Sequence, residues 1–311
     1  MYAVYNYAAG ATTANILADV IKLLTGETNK ANLSAACVQA NTSITSTVSA
    51  GWTVHDAAAG TDYQVIKSLC ADGTTYKYYG LKVDSATALR PLTYESWNAT
   101  THAATNSTAA TSTYTPITIA PTGGGYLYIY CTNRNIMIRS YCSGAFQGVQ
   151  GGFFHEYSRE MVPTGYPCWL LSNGNGNGLY SSPRVKNVTT TGDYLTGGSQ
   201  FNLSHGISTA CNSYLGGSGG TYVNNNGYYR DGSENVSLVV FKMEVFGNPI
   251  QNGTNIGAYR HGDVYDVVGM ATVTGGTLDE IVINSKTYVL FGAFAYTDSS
   301  PGYFWQLVPK E

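Results

Sequence analysis

"GWTVHDAAAGTDYQVIKSLCADGTTYKYYGLKV" (Gly51–Val83) decides the fold class. It holds three runs of β-forming residues: WTVHD, QVIKSL and YKYYGLKV. Val, Ile, Thr and Tyr fit a pleated, half-buried surface. AAAGTDY lies between the first two runs, and ADGTT lies between the second and third. Asp-Gly between such runs is a strong hairpin signal. The stretch predicts a three-stranded antiparallel meander.

The same style continues outward. LRPLTYESWNAT (Leu89–Thr100) reads as a further strand. THAATNSTAATSTYTP (Thr101–Pro116) has only small polar residues and no apolar period, so it predicts an exposed loop or linker. GGGYLYIYCTNRNIMIRSYCSG (Gly123–Gly144) predicts a hairpin of Tyr126–Thr132 and Asn135–Cys142 around an Asn133-Arg134 turn. In that register Tyr126 lies opposite Tyr141 and Cys131 opposite Ile136, so Cys131 and Cys142 are not partners. Val236–Phe246 and the closing GYFWQLVP read as later strands, and Thr-Gly-Gly and Asn-Ser-Lys as turns between the runs near the end.

One helix is expected. In TTANILADVIKLLTGE, Ile16, Leu17, Val20, Ile21 and Leu24 recur on one helical face. Thr12 or Thr13 can cap its start, and Gly26 stops it. NKANLSAACVQANTSI (Asn29–Ile44) has the pattern of a second, weaker helix. These opening residues serve either as an attachment arm or as a helix packed on the sheet. The resulting expectation is a mainly β chain of antiparallel, sandwich-like sheets with a short N-terminal helical segment. Its expected divisions are 1–48 (helical or attachment segment), 49–122 (meander) and 123–311 (larger antiparallel β domain with long Gly/Asn/Tyr loops).

Composition narrows the function. The chain has 311 residues and a net charge of −3, and only 11% of its residues are charged, against roughly 25% in ordinary proteins. No run of Lys or Arg supplies the basic stripe that nucleic-acid binding needs. No stretch reaches the roughly 18 apolar residues of a membrane-spanning helix. MYAVYNYAAG lacks the basic start and apolar core of a signal peptide, which predicts synthesis in the cytoplasm. The six cysteines are Cys37, Cys70, Cys131, Cys142, Cys168 and Cys211. None form C-x-x-C, so neither a zinc ribbon nor a redox motif is expected. Most are expected to be unpaired.

Chemistry-bearing constellations are sparse. FFHEYSRE brings His155, Glu156, Arg159 and Glu160 close in sequence, but Arg159 stands where H-E-x-x-H needs a second His. YRHGDVYD offers His261, Asp263 and Asp266. On a strand His261 and Asp263 share a face and Asp266 does not. A polar strand end is the simpler account of both. SHGIS lacks the G-x-S-x-G elbow, and GNGNG lacks a dinucleotide fingerprint. No catalytic residue, metal ligand or cofactor is assigned. Two Gly/Asn/Tyr loops, Ser172–Ser182 and Tyr214–Tyr229, are expected at the surface. Their aromatics, Tyr180, Tyr222, Tyr228 and Tyr229, are the candidate binding residues.

The order of AGWTVHDAAAG, ADGTTYKYYGLKV, YESWNATTH, YLYIYCTNRNIMIRSY, GVQGGFFHEYSRE and GYPCWLL resembles virion structural proteins of tailed bacteriophages. The likeness runs roughly from Ile16 to Pro309 and is one of style and order. It implies a non-enzymatic subunit of a tail, baseplate, fibre or head surface. Such a subunit is made in the host cytoplasm, resides in the virion, and assembles with itself and with other virion proteins. It implies no catalytic residues. The alternative is a tail protein that binds a host receptor or surface glycan, and a third reading is a glycan depolymerase.

Overall fold

The computed structural model of the chain describes residues 1–45, 50–70, 73–107, 116–133, 135–156, 167–173, 181–184, 201–204, 239–247, 257–269, 280–290 and 303–310. They form a mainly β protein with antiparallel sheets and one α-helix, as the sequence predicts. The chain divides into two compact units, Met1–Leu171 with Arg184–Asp193, and Ser172–Pro183 with Tyr194–Glu311.

The first unit opens with β1 (Tyr2–Tyr7), α1 (Thr13–Leu24) and the two-residue β2 (Ser43–Ile44). The meander follows as β3 (Trp52–Gly60), β4 (Tyr63–Leu69) and β5 (Tyr76–Ser85), and continues into β6 (Ala88–Asn98) and β7 (Ala103–Ser107). Then come β8 (Ile117–Thr118), β9 (Gly125–Cys131), β10 (Asn135–Cys142) and β11 (Ala145–Glu156). One sheet has the order β2-β1-β9-β10-β11, and the other has the order β3-β4-β5-β6-β7 with β8 beside β6. The short strands β12 (Pro167–Asn173) and β13 (Ser181–Arg184) straddle the division between the units.

A single core joins these pieces. Ala3 and Tyr5 of β1, the apolar residues of α1, Ile66, Tyr79, Leu81 and Leu89 of the meander sheet, and Leu127, Ile129, Ile136 and Ile138 of the hairpin are all buried in it. The stretches 1–48, 49–122 and 123–142 thus contribute side chains to the same interior. The helix is wrapped by it: only Asn15 and Lys22 are exposed along its length. Thr12 caps the start, its hydroxyl accepting from the Asn15 N–H at 3.1 Å. Gly26, at φ +99°, ends it as predicted.

Asp19 is 0% exposed in this interior. Its Oδ2 accepts from the Tyr5 hydroxyl and the Ser34 hydroxyl, each at 2.7 Å, and its Oδ1 accepts from the Ser34 N–H at 2.7 Å. Burial, and next the hydrogen bond to Asp19, push the Tyr5 phenol far above its ordinary range. Trp52 at the head of β3 donates its indole N–H to the Thr132 carbonyl at 2.8 Å, tying the meander to the β9–β10 turn.

The β9–β10 hairpin has the predicted register, with Tyr126 opposite Tyr141 and Cys131 opposite Ile136. Cys37, Cys131 and Cys142 are free thiols. Burial pushes the Cys131 thiol up to about 12. Four expectations are corrected. Tyr2–Tyr7, not anticipated as a strand, pairs with β9 along its whole length. Asn29–Ile44 is not a second helix; it forms two 3-10 turns, Lys30–Asn32 and Gln39–Asn41, and then β2. Asn29, Ser34 and Thr42 side chains bond nearby backbone groups there, in competition with helix formation. AAAG does not separate strands, because β3 runs through to Gly60 and turns at Asp62, φ +50°. Ala103–Ser107, expected in a loop, pairs with β6, whose backbone supplies what its own sequence lacks.

The second unit holds one sheet, made of β14 (Phe201–Ser204), β15 (Val239–Gly247), β16 (Gly257–Gly269), β17 (Glu280–Ile283), β18 (Lys286–Leu290) and β19 (Tyr303–Pro309). Its order is β14-β15-β16-β19-β18-β17. The Asn284-Ser285 turn joins β17 to β18 with φ +50° and +63°, the two positive angles of a type I′ hairpin. The closing strand is where the sequence puts it. Among the described residues no helix is long and apolar enough to cross a membrane.

Two glycines are fixed by tyrosines. A Cβ on Gly125 would lie 2.5 Å from the Tyr7 hydroxyl and 2.6 Å from the Tyr141 carbonyl oxygen. A Cβ on Gly80 would meet the Tyr63 hydroxyl at 2.6 Å and Tyr94 Cε2 at 3.0 Å. Tyr63 is half-buried and can swing aside, whereas a backbone carbonyl cannot. Gly125→Ala is expected to destabilise the chain by roughly 2–3 kcal/mol and Gly80→Ala by about 1 kcal/mol. Urea midpoints test this ranking, and the reverse order refutes it. Thiol titration of the denatured, unreduced protein is expected to detect Cys37, Cys131 and Cys142, assigned by mass spectrometry of the labelled peptides.

Candidate functional site

The site grows out of a fault in β3. Trp52 and Val54 pair with Ser68 and Ile66, but Asp56 pairs with Val65, one residue out of step. A one-residue bulge reverses which face the following side chains occupy. Trp52 therefore enters the main core while Asp56, at the same parity, enters the other face of the meander sheet. A second shift between Asp56 and Gly60 frees the strand on its other side.

That face carries a smaller cluster of Val65, Leu92, Tyr94 and Trp97, with Ala59, Tyr63 and Tyr78 packed against it. The Tyr63 ring meets Trp97 edge-on, with centroids 5.6 Å apart at 86°. Tyr94 lies 4.7 Å from Trp97. The hydroxyls of Tyr63 and Tyr94 are hydrogen-bonded to each other.

Asp56 is 5% exposed and has three donors. Its Oδ2 accepts from Trp97 Nε1 at 2.7 Å and pairs with His102 Nδ1 at 2.8 Å. Its Oδ1 accepts from the Ala58 N–H at 3.0 Å. Burial pushes the carboxyl up, but the bonds from His102, Trp97 and Ala58 outweigh it and hold Asp56 below the ordinary carboxylate range. His102 is presented by the β6–β7 turn. Asn98 Oδ1 accepts from the N–H groups of Thr100 and Thr101 at 2.8 and 3.1 Å, and the turn ends with His102 at φ +51°. A non-glycine residue there is uncommon, and His is among those that tolerate it. The His102 side chain is 45% exposed. His55, within the bulge, lies 5.2 Å from the Tyr78 ring and places Nε2 3.1 Å from the Trp97 carbonyl.

Chemically, this is a carboxylate that orients a histidine and holds an indole. With Nδ1 engaged by Asp56, Nε2 is the ring nitrogen left for other contacts. Among the described residues no serine, threonine or cysteine hydrogen-bonds to His102, and no group of three or more His, Cys, Asp or Glu could hold a metal ion. The arrangement joins strands.

The residues singled out from sequence fall elsewhere. Tyr180, Tyr222, Tyr228 and Tyr229 lie outside the described residues, as do Arg159 and Glu160. His155 and Glu156 end β11, and His261, Asp263 and Asp266 all fall on β16. Asp56, Trp97 and His102 were not anticipated as a group. The signal was Asn98-Ala-Thr-Thr-His102, the pattern of an Asx turn that presents its last residue. No protein-family model matches the chain, and no curated protein matches it in sequence.

A carboxyl whose folded value is depressed contributes stability above its unfolded value and loses it as pH falls through the folded value. Asp56→Asn is therefore expected to cost about 2 kcal/mol at pH 7. The gap between wild type and variant should close as pH falls below about 4. Urea unfolding at pH 7, 5 and 3 measures it. A gap that stays constant over this range would show that the Asp56 charge is not what stabilises the site.

Proposed function

We propose that the chain is a non-enzymatic structural subunit of a tailed-phage particle, assembled with itself and with other virion proteins, made in the host cytoplasm and resident in the virion. The observation that carries this reading is how the described sheets are held together. Their interiors are mainly aliphatic and aromatic, with Lys77 and Arg139 as buried cations, and the described buried polar contacts include bonds between hydroxyls, indoles and carboxylates. Such contacts depend little on ionic strength, which suits a protein that must last outside a cell. Among the described residues, ion pairs join Arg90 to Asp84 at 2.6 Å, His102 to Asp56 at 2.8 Å, and Lys310 to Glu280.

The face of the hairpin sheet away from the main core supports self-association. Tyr126 and Tyr128 stack at 6.3 Å with rings 20° apart, and Tyr141 lies 6.4 Å from Tyr126 across the strand pair. All three are half-buried. Burial pulls the Arg139 guanidinium beside them down to about 10, against the attraction of Tyr128, which raises it. Rigid, neutral, half-buried aromatics are the side chains that protein interfaces favour.

The test is localisation. Electron microscopy of intact particles carrying this chain is expected to show it in repeated copies, and light scattering of the purified chain should give a defined homo-oligomer. A chain that stays monomeric at high concentration and has no density in the particle overturns the reading.

A further inference from the structure

Neighbouring strands lie about 4.8 Å apart. β3 and β6 are three positions apart in their sheet, so a flat sheet would separate them by about 14 Å. Yet Asp56 of β3 reaches Trp97 of β6 at 2.7 Å, and His55 of β3 reaches the Trp97 carbonyl at 3.1 Å. Ala59, also on β3, packs on the cluster that contains Trp97. The strand has therefore folded across the face of its own sheet. No backbone ladder joins β3 to β6 among the described pairs; side chains alone close the gap.

On its other side, β3 holds β4 through a ladder broken on both sides of Asp56. Gly60, next to the turn, pairs with Tyr63 as the last rung. Residues 55–60 thus have few backbone anchors, and their side-chain contacts gather at Asp56, on Trp97 and His102, and at His55, on the Trp97 carbonyl and Tyr78. Trp52, by contrast, is 1% exposed and bonded to Thr132, so the head of the strand is fixed. Val54, between the two parts, is 48% exposed.

We infer that residues 55–60 form a strap, closed by Asp56 onto Trp97 and His102, that opens as a local unit while the rest of the first unit stays folded. Opening pivots between the fixed Trp52 and the Thr61-Asp62 turn. It uncovers Trp97 and Tyr94 and strips the outer edge of β4 of its partner, so one residue governs the exposure of an aromatic surface and a sheet edge. Such a device keeps an edge strand from pairing with other chains until it is released.

Native-state hydrogen exchange on the full chain tests this, read at low, sub-denaturing concentrations of guanidinium. In the wild type, amides of 55–60 are expected to exchange by an opening that hardly responds to denaturant, whereas those of β9 and β10 respond steeply. Asp56→Asn should speed exchange in 55–60 by about tenfold or more, with β9 and β10 unchanged. His102→Ala, which keeps the bond between Asp56 and Trp97, should give a smaller increase in the same peptides. Equal denaturant dependence across 55–60 and β9–β10 in the wild type overturns the strap, and this measurement requires no variant to fold. Equal acceleration of both regions in either variant also overturns it, as does no acceleration in 55–60.

Discussion

A carboxylate buried without partners destabilises a fold by several kcal/mol, and Asp19 sits at 0% exposure among Ile, Leu, Val and aromatic side chains. Its position is tolerable only where three donors converge. They come from β1, through the Tyr5 hydroxyl, and from the segment after the first 3-10 turn, through both polar groups of Ser34. This requirement fixes the rotation of α1 about its axis and its height against β1. Because β1 lies between β2 and β9, the helix is placed on the whole hairpin sheet by the same contacts. Apolar packing alone tolerates sliding; the hydrogen bonds to Asp19 do not.

Asp56 repeats the device on the other sheet with a different outcome. Both carboxylates are buried, and both receive side-chain and backbone donors. Asp19 rises from a regular helix in the largest core, so releasing it means unfolding the unit. Asp56 stands on an edge strand between two register faults, so the elements it joins have little else between them. The same chemistry serves as an anchor where backbone bonding is dense and as a clasp where it is thin.

Local patterns in the sequence were legible where the chain's partners are near in sequence. The Tyr126–Cys142 hairpin joins strands adjacent in sequence through a short connection, and so its register follows from counting. The helix shows its 3.6-residue period and a threonine cap. β1 was missed because its partner β9 lies more than a hundred residues away and five of its six residues are buried, which hides the alternation. β7 was missed because Ala-Ala-Thr-Asn-Ser carries no strand signal apart from the neighbour that pairs with it. The candidate site was hidden for a sharper reason. Simple alternation puts Trp52 and Asp56 on one face, and only the bulge at His55, which has no mark in the sequence, separates them.

Tyr and Gly, 26 and 36 residues of the chain, meet face to face at two places in the described sheets, Gly125 and Gly80. A glycine in a strand lacks side-chain contacts and loses more entropy on folding than other residues. Tyr7 covers Gly125 from the directly opposed position, and Tyr63 covers Gly80 from the neighbouring rung. Each ring occupies the space that a second side chain would fill, and shields the exposed backbone. The ring also gains a flat seat at van der Waals distance, which a branched partner would deny it. Once a strand face is built this way, neither residue is independently replaceable: a smaller side chain at the tyrosine bares the glycine, and a larger one at the glycine lifts the ring. On such a face the polar edge that remains is the tyrosine hydroxyl. In this chain those hydroxyls reach Asp19 from Tyr5, the Ala120 N–H from Tyr7, and each other at Tyr63 and Tyr94, so the residue that fills the sheet also supplies the polar contacts that orient it.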